Sequence, residues 1–244
     1  MKPVYFVGAG PGDPELITIK GKNLLSQADV VIYTNSLIPA SLLHYCRWDA
    51  HLIPSLDLTL EEITDYMIKF ATNNQLVVRL HDGDPSIFST IGEQIHRLLS
   101  AHVPVEVIPG VSAFQLAAAR LQTELTVPTL VQTIILTRVS AKNTVPDRES
   151  LRELAKHQAT ICLYLSAKQI EMATAELLTA YPPTTPVAIC YHLGWGDEQI
   201  VTTTLENMAV MSGKLGLEKS TLYLISPALN YRGTRSGLYQ KFTS

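Results

Sequence analysis

The feature that most constrains the fold is a series of short, continuously apolar segments in the first half of the chain, each followed by a helical pattern. The apolar segments occupy residues 4–7, 30–33, 76–80 and 105–108. Helical spacing of apolar residues follows at about residues 16–28, 60–73, 87–100 and 113–121. Strands that are apolar along their whole length and alternate with helices predict a parallel sheet covered on both faces.

Thr59, with Glu62 three residues later, predicts a capping box at the second helix.

The pattern of strands and helices restarts after residues 122–131, which contain Pro128 and mixed polar residues and are interpreted as a linker. Strands are predicted at 133–137, 160–165, 186–191 and 221–225, with an edge strand at 200–204 and helices at 147–157 and 168–180. The expected fold class is therefore α/β, with an N-terminal domain at 1–121 and a C-terminal domain at 132–244. We expect a ligand cleft between the two lobes, because such folds bind ligands at domain interfaces and beyond the carboxyl ends of strands.

Composition excludes several classes of protein. The 244 residues are 46% hydrophobic and carry a net charge of −3, so neither a basic nucleic-acid surface nor a disordered acidic tail is expected. Cys46, Cys162 and Cys190 are widely spaced and form no C-x-x-C motif, which disfavours a disulfide framework or a metal site and favours a reducing cytoplasm. Because no apolar run approaches the roughly 18 residues of a membrane span, we expect a cytoplasmic protein without a membrane partner.

The first predicted strand ends in the loop Gly8-Ala9-Gly10-Pro11-Gly12-Asp13-Pro14. The loop partly fits the dinucleotide fingerprint G-x-G-x-x-G, but Asp13 takes the place of the third glycine. Two prolines remove backbone donors that could bind a pyrophosphate, and no acidic residue ends the second strand to hold a ribose. A hydride-transfer enzyme is therefore disfavoured. A plain tight turn is the alternative, although so many glycines and prolines favour a loop that faces a ligand.

Two further strands end in similar loops. The third strand is followed by Gly83-Asp84-Pro85-Ser86 and the fourth by Pro109-Gly110-Val111-Ser112-Ala113. Asp84 and Ser112 could each serve only as a helix cap, with Pro85 at a first helical position, or could line a pocket, or both. The sequence contains no familiar nucleophile motif and no obvious acid–base pair. An enzyme that needs neither a nucleophile nor an acid–base pair acts on substrates that are already reactive without such groups.

Together these loops resemble the tetrapyrrole (corrin/porphyrin) methylase family, whose members use S-adenosylmethionine. The likeness covers nearly the whole chain and includes residues 7–18, 28–33, 83–86 and 109–113. Within the family, the segments 33–37, 79–86, 124–128 and above all 132–138 are most similar to the branch that methylates carbon 11 of precorrin-4 or cobalt-precorrin-4. A uroporphyrinogen-III methyltransferase is the second choice. The sequence does not decide whether the substrate carries cobalt.

The resemblance also implies the residues of the site. Expected contacts of S-adenosylmethionine, and of the product S-adenosylhomocysteine, are Pro11, Asp82, Gly83, Asp84, Ile87, Ser112, Ala113, Leu165, Leu193, Thr221 and Leu222. The first loop is expected to face the tetrapyrrole through Gly8, Gly10, Gly12 and Asp13. The chain departs from the branch at Asp82, at Leu193-Gly194 and at Gly196. Family members usually form homodimers, so a homodimer is expected here.

The expected reaction is direct methyl transfer, in which alignment and exclusion of water are the tasks of the protein. No catalytic acid or base is therefore assigned. The substrate's carboxylates need cationic partners, and Arg79, Arg120 and Arg138 are the candidates. Solvated surface or internal salt bridges are the alternatives for each arginine. A nucleotide-dependent oxidoreductase and a non-catalytic tetrapyrrole carrier remain competing hypotheses.

Overall fold

The apolar segments of the first half form strands of one parallel sheet, as predicted. The computed structural model describes residues 1–140, 144–231 and 233. Its first compact unit comprises residues 1–116 and 193–196. The strands of this unit are β1 (Val4–Gly8), β2 (Val30–Tyr33), β3 (His51–Pro54), β4 (Val77–His81) and β5 (Val105–Ile108). They pair in the order β3-β2-β4-β1-β5, with every pair parallel.

Helices cover both faces of this first sheet. They are α1 (Ile19–Leu25), α2 (Ala40–Leu43), α3 (Leu60–Thr72), α4 (Ile91–Ser100) and α5 (Ala113–Arg120), the last of which begins in the first unit. Phe6 and Met67 belong to the core on one face, and Val7 and Leu25 to the core on the other. The sheet buried on both faces is thereby confirmed. The sequence pattern did not predict α2 or β3, which are only four residues each.

The capping box at α3 is also confirmed. The Thr59 hydroxyl accepts a hydrogen bond from the Glu62 backbone N–H at 3.2 Å, and the Glu62 carboxylate accepts one from the Thr59 backbone N–H at 2.8 Å. The helix predicted at 87–100 is wrong at its start, since α4 begins at Ile91. Pro85 therefore does not open this helix, because a turn held by Asp84 comes first.

The second compact unit comprises the described part of residues 117–192 and 197–244. Its strands are β6 (Ile134–Arg138), β7 (Thr160–Tyr164), β8 (Pro186–Tyr191), β9 (Gln199–Thr204) and β10 (Thr221–Ile225). Its helices are α6 (Leu151–Ala155), α7 (Ile170–Leu177) and α8 (Met208–Lys214). The strand order is β6-β7-β10-β8-β9, in which only β6 and β7 pair in parallel. The predicted edge strand is confirmed as β9.

Residues 122–131, interpreted as a linker, pack against the second unit. Val127 and Val131 are buried with Ala228, and the Thr160 hydroxyl donates a hydrogen bond to the Leu125 carbonyl at 2.9 Å.

Cys162 and Cys190 are buried thiols, as predicted for core positions. Among the described residues, no helix is long and apolar enough to cross a membrane.

Candidate functional site

The loops after β1 and β4 are joined by backbone hydrogen bonds. The Gly10 N–H donates to the Gly83 carbonyl at 3.2 Å, and the Gly83 N–H donates to the Gly10 carbonyl at 2.8 Å. Neighbouring parallel strands end at the same edge of a sheet, so their following loops meet there. The two glycine loops that the sequence singled out therefore form one continuous backbone surface.

The loop after β5 packs against the same surface through glycine. A Cβ atom added to Gly110 would lie 2.2 Å from the Gly83 carbonyl oxygen and 2.8 Å from the Gly8 Cα atom. A Cβ atom on Gly8 would lie 2.6 Å from the Gly110 Cα atom. Both distances are far inside van der Waals contact, so the three loops interlock only because these positions lack side chains.

Asp84 ties two of the loops together through its carboxylate. One oxygen accepts from the Ser86 N–H at 2.8 Å and from the Ser86 hydroxyl, and the other accepts from the Gly110 N–H at 2.8 Å. Partial burial acts to raise the pKa of Asp84, but the hydrogen bonds from Ser86 and Gly110 outweigh it and lower the pKa. Asp84 therefore caps a turn and clamps the β5 loop, and it does not cap α4.

The segment that follows Asp84 contains strained backbone. Phe88 and Thr90 have positive φ angles of 55° and 49°, and Thr90 precedes α4 without a side-chain cap. A left-handed conformation is unfavourable for a branched side chain such as that of threonine. Ile87 lies in this segment and is half-buried, with its N–H donating to the Asp84 carbonyl at 3.1 Å. Strain of this kind is typical of functional loops.

The end of the first loop contacts residues that come from much later in the chain. Gly12 has φ of 147°, and a Cβ atom there would lie 2.5 Å from the Trp195 ring. Gly194 has φ of 80°, and a Cβ atom there would lie 2.5 Å from the Asp13 nitrogen. The positive φ and this backbone contact together explain why position 194 needs glycine. The Asp13 side chain accepts from the Glu15 N–H at 2.9 Å and so caps the turn that follows.

The other predicted cofactor contacts lie at strand ends and helix starts. Ser112 is buried before α5, and its N–H donates to the Gln115 side chain at 2.9 Å, as in half of a capping box. In the second unit, Leu165 follows β7 with a positive φ of 51° and is 57% exposed. Thr221 is the first residue of the neighbouring strand β10. Because β10 and β7 are antiparallel, Thr221 lies at the same end of the sheet as Leu165, which follows β7. An exposed leucine in a left-handed conformation is unusual, and it marks this edge as a site candidate.

The remaining predicted positions are distributed as follows. Pro11 lies in the first loop, Asp82 directly after β4, Ala113 at the start of α5, Leu193 in the first unit beside Gly12, and Leu222 in β10 next to Thr221. Desolvation by the surrounding protein raises the pKa of Asp82, and its backbone hydrogen bond and the charge of Arg79 oppose this shift. Part of the Asp82 surface remains exposed to solvent.

The three candidate arginines have different environments. Arg120 is half-exposed and its Nε atom donates to Glu198 at 3.0 Å, so its charge is already paired. Arg138 ends β6, and its buried Nε atom has no hydrogen-bond partner among the described residues. Arg79 lies in β4 and is only 5% exposed. Arg79 donates to Gln94 at 3.3 Å and to the Ser55 hydroxyl at 3.0 Å.

A cavity of about 310 Å³ lies beside Arg79 within the first unit. It is lined by Thr34, Leu37, Leu60, Ile63, Arg79, His81, Asp82, Phe88, Ser89, Thr90, Glu93 and Gln94. Sequence reasoning missed His81, Ser55 and Gln94. One signal was available, because the strand periodicity places Arg79 and His81 on the same face of an otherwise apolar strand.

Comparison with known proteins agrees with this architecture. Residues 3–209 match the family model described as Tetrapyrrole (Corrin/Porphyrin) Methylases. The chain belongs to the tetrapyrrole (corrin/porphyrin) methylase family. It is 46% identical over 230 residues to a cobalt-precorrin-4 C(11)-methyltransferase of Methanocaldococcus jannaschii, covering 94% of this chain and 89% of that one. It is 38% identical to a precorrin-4 C(11)-methyltransferase of Pseudomonas aeruginosa, with 97% and 95% coverage.

Solved structures that are similar to this chain include two methyltransferases. A cobalt precorrin-4 methyltransferase superposes with a TM-score of 0.91 at 39% identity, covering 94% of this chain and 96% of that one. A uroporphyrin-III C-methyltransferase of Thermus thermophilus, complexed with S-adenosylhomocysteine, has a TM-score of 0.78 at 30% identity, with 94% coverage of each chain. The first similarity is the stronger, as the sequence resemblance predicted.

Proposed function

We propose that this protein transfers a methyl group from S-adenosylmethionine to carbon 11 of precorrin-4 or cobalt-precorrin-4, a step of cobalamin biosynthesis. The observation that carries the proposal is the interlocked set of glycine loops around Gly8, Gly83 and Gly110, in a chain of this family. Relatives named for carbon-11 methylation match almost the full length of the chain, and they include both cobalt-precorrin-4 and precorrin-4 enzymes. The presence of cobalt in the substrate is thus left to the assay.

The cofactor binds along the loops after β4 and β5. Gly83 supports this position because it has φ of 60°, and a Cβ atom there would meet only the Ser112 Cα atom, at 3.9 Å. The backbone at Gly83 is therefore open to a ligand, whereas Gly8 and Gly110 are closed by each other. The proposed cofactor contacts on this surface are Pro11, Asp82, Gly83, Asp84, Ile87, Ser112 and Ala113. The family resemblance adds Leu165, Leu193, Thr221 and Leu222 as further proposed contacts.

The cofactor would supply a methyl group on a sulfonium sulfur, and that sulfur is itself the leaving group, departing as the neutral thioether of S-adenosylhomocysteine when its bond to the methyl carbon breaks. This chain accordingly needs to bind, orient and shield the reactants, and no residue is assigned as a catalytic acid or base. The Asp84 carboxylate holds the β4 and β5 loops at a fixed spacing through Ser86 and Gly110. Such fixed backbone is what alignment of two reactants within about 3–3.5 Å requires.

The tetrapyrrole binds beside the first loop, along Gly8, Gly10, Gly12 and Asp13. Its carboxylates require cations, and Arg79, Arg120 and Arg138 were the candidates that the sequence offered without an order of preference. Arg120 is paired with Glu198, whereas Arg79 and Arg138 have guanidinium nitrogens without a carboxylate partner among the described residues. Arg79 and Arg138 are therefore preferred over Arg120 as substrate contacts.

The organisation of the protein in solution is part of the same proposal. We assign an N-terminal domain at 1–121, a linker at 122–131 and a C-terminal domain at 132–244. The protein works in the cytoplasm, as its widely spaced cysteines favour, and as a homodimer, which rests on family resemblance alone. Light scattering coupled to gel filtration measures the oligomeric state, and a monomer at assay concentration would contradict the dimer.

The activity is tested by incubating the protein with methyl-labelled S-adenosylmethionine and precorrin-4 or cobalt-precorrin-4. The expected product carries one label at carbon 11, located by mass spectrometry and NMR. Uroporphyrinogen III, incubated in parallel, is the control substrate that separates the second family activity. A known methyltransferase confirms that the substrate is intact. Absence of label from both precorrin-4 and cobalt-precorrin-4 would then contradict the proposal.

The competing hypotheses are separated by ligand binding. A thermal-shift screen is expected to show stabilisation by S-adenosylhomocysteine and none by NAD or NADP. The reverse result would favour an oxidoreductase. Binding of the macrocycle without turnover, in the presence of S-adenosylmethionine, would favour a carrier.

A further inference from the structure

The cavity beside Arg79 contains a buried positive charge whose hydrogen-bond partners are all uncharged. Arg79 is 5% exposed, and its two hydrogen-bond partners, Gln94 and Ser55, are uncharged. In the described part of the chain, no carboxylate forms an ion pair with its guanidinium. Burial lowers the pKa of Arg79 to about 10, with Asp82 opposing the shift, so the side chain remains charged at neutral pH. A buried cation without an ion-pair partner is costly and needs compensation.

His81 supplies a second polar group to the same cavity, and this one lacks a hydrogen-bond partner in the part of the chain that the structure describes. Its side chain is 7% exposed and stacks on Phe6, with ring centroids 5.7 Å apart. The Nε2 atom is buried and has no hydrogen-bond partner among the described residues. Burial, followed by the charge of Arg79, lowers the pKa of His81 to about 3, so the ring is neutral at neutral pH. A neutral imidazole with its proton on Nε2 can donate one hydrogen bond.

The other polar groups of the lining are arranged by depth. Asp82 and Glu93 line the cavity but keep exposed surface, whereas Arg79, His81 and Gln94 are buried. The acidic groups therefore lie nearer the solvent and the cation lies deeper. Carboxylates near the opening suit N–H donors such as those of pyrrole rings, and the deeper guanidinium suits an anion.

We propose that this cavity is a carboxylate subsite, in which Arg79 and the Nε2–H of His81 bind one carboxylate side chain of the tetrapyrrole while the ring remains at the opening. The subsite rests on the proposed function, because a carboxylate on a bulky macrocycle is the ligand that function supplies. A volume of about 310 Å³ holds a short carboxyalkyl chain but not the whole macrocycle. Gln94 and Ser55 are positioning residues that fix the guanidinium from the protein side.

The test measures binding of two separate probes to the purified protein. Calorimetry follows S-adenosylhomocysteine, and fluorescence follows uroporphyrin III, a stable porphyrin that carries several carboxylates. Arg79→Gln is expected to weaken porphyrin binding by on the order of tenfold or more, with binding of S-adenosylhomocysteine unchanged. Arg97→Gln is the matched control, since Arg97 lies in the first unit and pairs with Glu61 at the surface. It is expected to bind both probes as the wild type does.

A second pair of variants keeps Arg79 in place, so that the result does not depend on the folding of Arg79→Gln. Thr34 lines the cavity, and its hydroxyl lies 3.3 Å from the Ser55 hydroxyl that accepts from Arg79. Thr34→Glu supplies a carboxylate within the chain and is expected to compete with the porphyrin, whereas Thr34→Gln has the same shape without the charge. Thr34→Glu should therefore bind uroporphyrin III at least about tenfold more weakly than Thr34→Gln and unfold at a higher temperature.

The outcomes separate the two proposals. Equal porphyrin affinity in Thr34→Glu and Thr34→Gln, or in a folded Arg79→Gln and the wild type, overturns the subsite. If the wild type binds S-adenosylhomocysteine but not the porphyrin, the subsite fails while the cofactor proposal stands. If the wild type binds neither probe, the proposed function itself fails.

Discussion

Replacement of Gly110 by alanine tests the interlocked loops most directly. The added Cβ atom would lie 2.2 Å from the Gly83 carbonyl oxygen and 2.8 Å from the Gly8 Cα atom. Backbone atoms cannot rotate away as a flexible side chain can, so relief needs a shift of the β5 loop by about 1 Å to reach ordinary contact. The same shift stretches the 2.8 Å hydrogen bond from the Gly110 N–H to Asp84.

The expected magnitude follows from these contacts. Insertion of a methyl group into a closely packed site costs about 1–3 kcal/mol of unfolding free energy. Displacement of a positioning element by about 1 Å costs on the order of a hundredfold in rate. We therefore expect Gly110→Ala to remain folded with reduced stability and to lose methyl transfer by more than its loss of stability explains.

The assay combines urea denaturation with the initial rate of methyl transfer at a temperature where the variant is fully folded. Gly92→Ala is the matched control, because Gly92 lies in α4 and a Cβ atom there meets nothing within 4 Å. That change should be neutral or stabilise the protein by up to about 1 kcal/mol, since alanine favours helix more than glycine does. Wild-type stability and wild-type kcat/KM in Gly110→Ala would refute the reasoning.

Three further predictions concern stability and thiol chemistry. Thr59→Ala removes the acceptor of the α3 capping box and should lower the unfolding free energy by about 1 kcal/mol in urea denaturation; no change would contradict the cap. Since the pKa of Asp84 is lowered in the folded protein, its ionised form stabilises the fold above the unfolded value of about 3.9, and this contribution is lost as pH falls through the folded pKa. The stability difference between wild type and Asp84→Asn should therefore shrink on acidification, and a difference independent of pH would contradict it. Burial raises the pKa of Cys162 and of Cys190 to about 12, so both thiols should resist a disulfide reagent at pH 8 until denaturant is added; rapid reaction of the native protein at either thiol would be inconsistent with the structure.

Local chemistry made part of the fold predictable. The continuous apolar strands, the Thr59 capping box and the three glycine-containing loops all depend on residues adjacent in sequence. The loops at Gly10 and Gly83 could be expected to meet, because parallel strands end at a common edge. The residues that contact each other in these loops could not be predicted, because the contacts of Gly110 with Gly8 and Gly83 join residues far apart in the chain.

Tertiary packing overrode local signals at other positions. Apolar spacing predicts a helix over 87–100, with Pro85 as a possible first helical residue, yet the Asp84 carboxylate accepts hydrogen bonds from Ser86 and Gly110 and α4 begins only at Ile91. The second half repeats the strand–helix alternation of the first, but its sheet is largely antiparallel. Strand direction depends on where each connection crosses the sheet, and apolar periodicity carries no information about that.

The first loop shows where sequence and structure divide. By itself, the sequence predicted that Gly8 to Pro14 is a loop facing a ligand, and it disfavoured a pyrophosphate there, because Asp13 and the prolines act through local backbone chemistry. Only the tertiary structure decided that Gly8 packs on Gly110, that Gly10 pairs with Gly83, and that Arg79 is a buried cation with no ion pair among the residues the structure describes. Those outcomes depend on which atoms distant segments bring together, and the identity of a residue does not encode its distant neighbours.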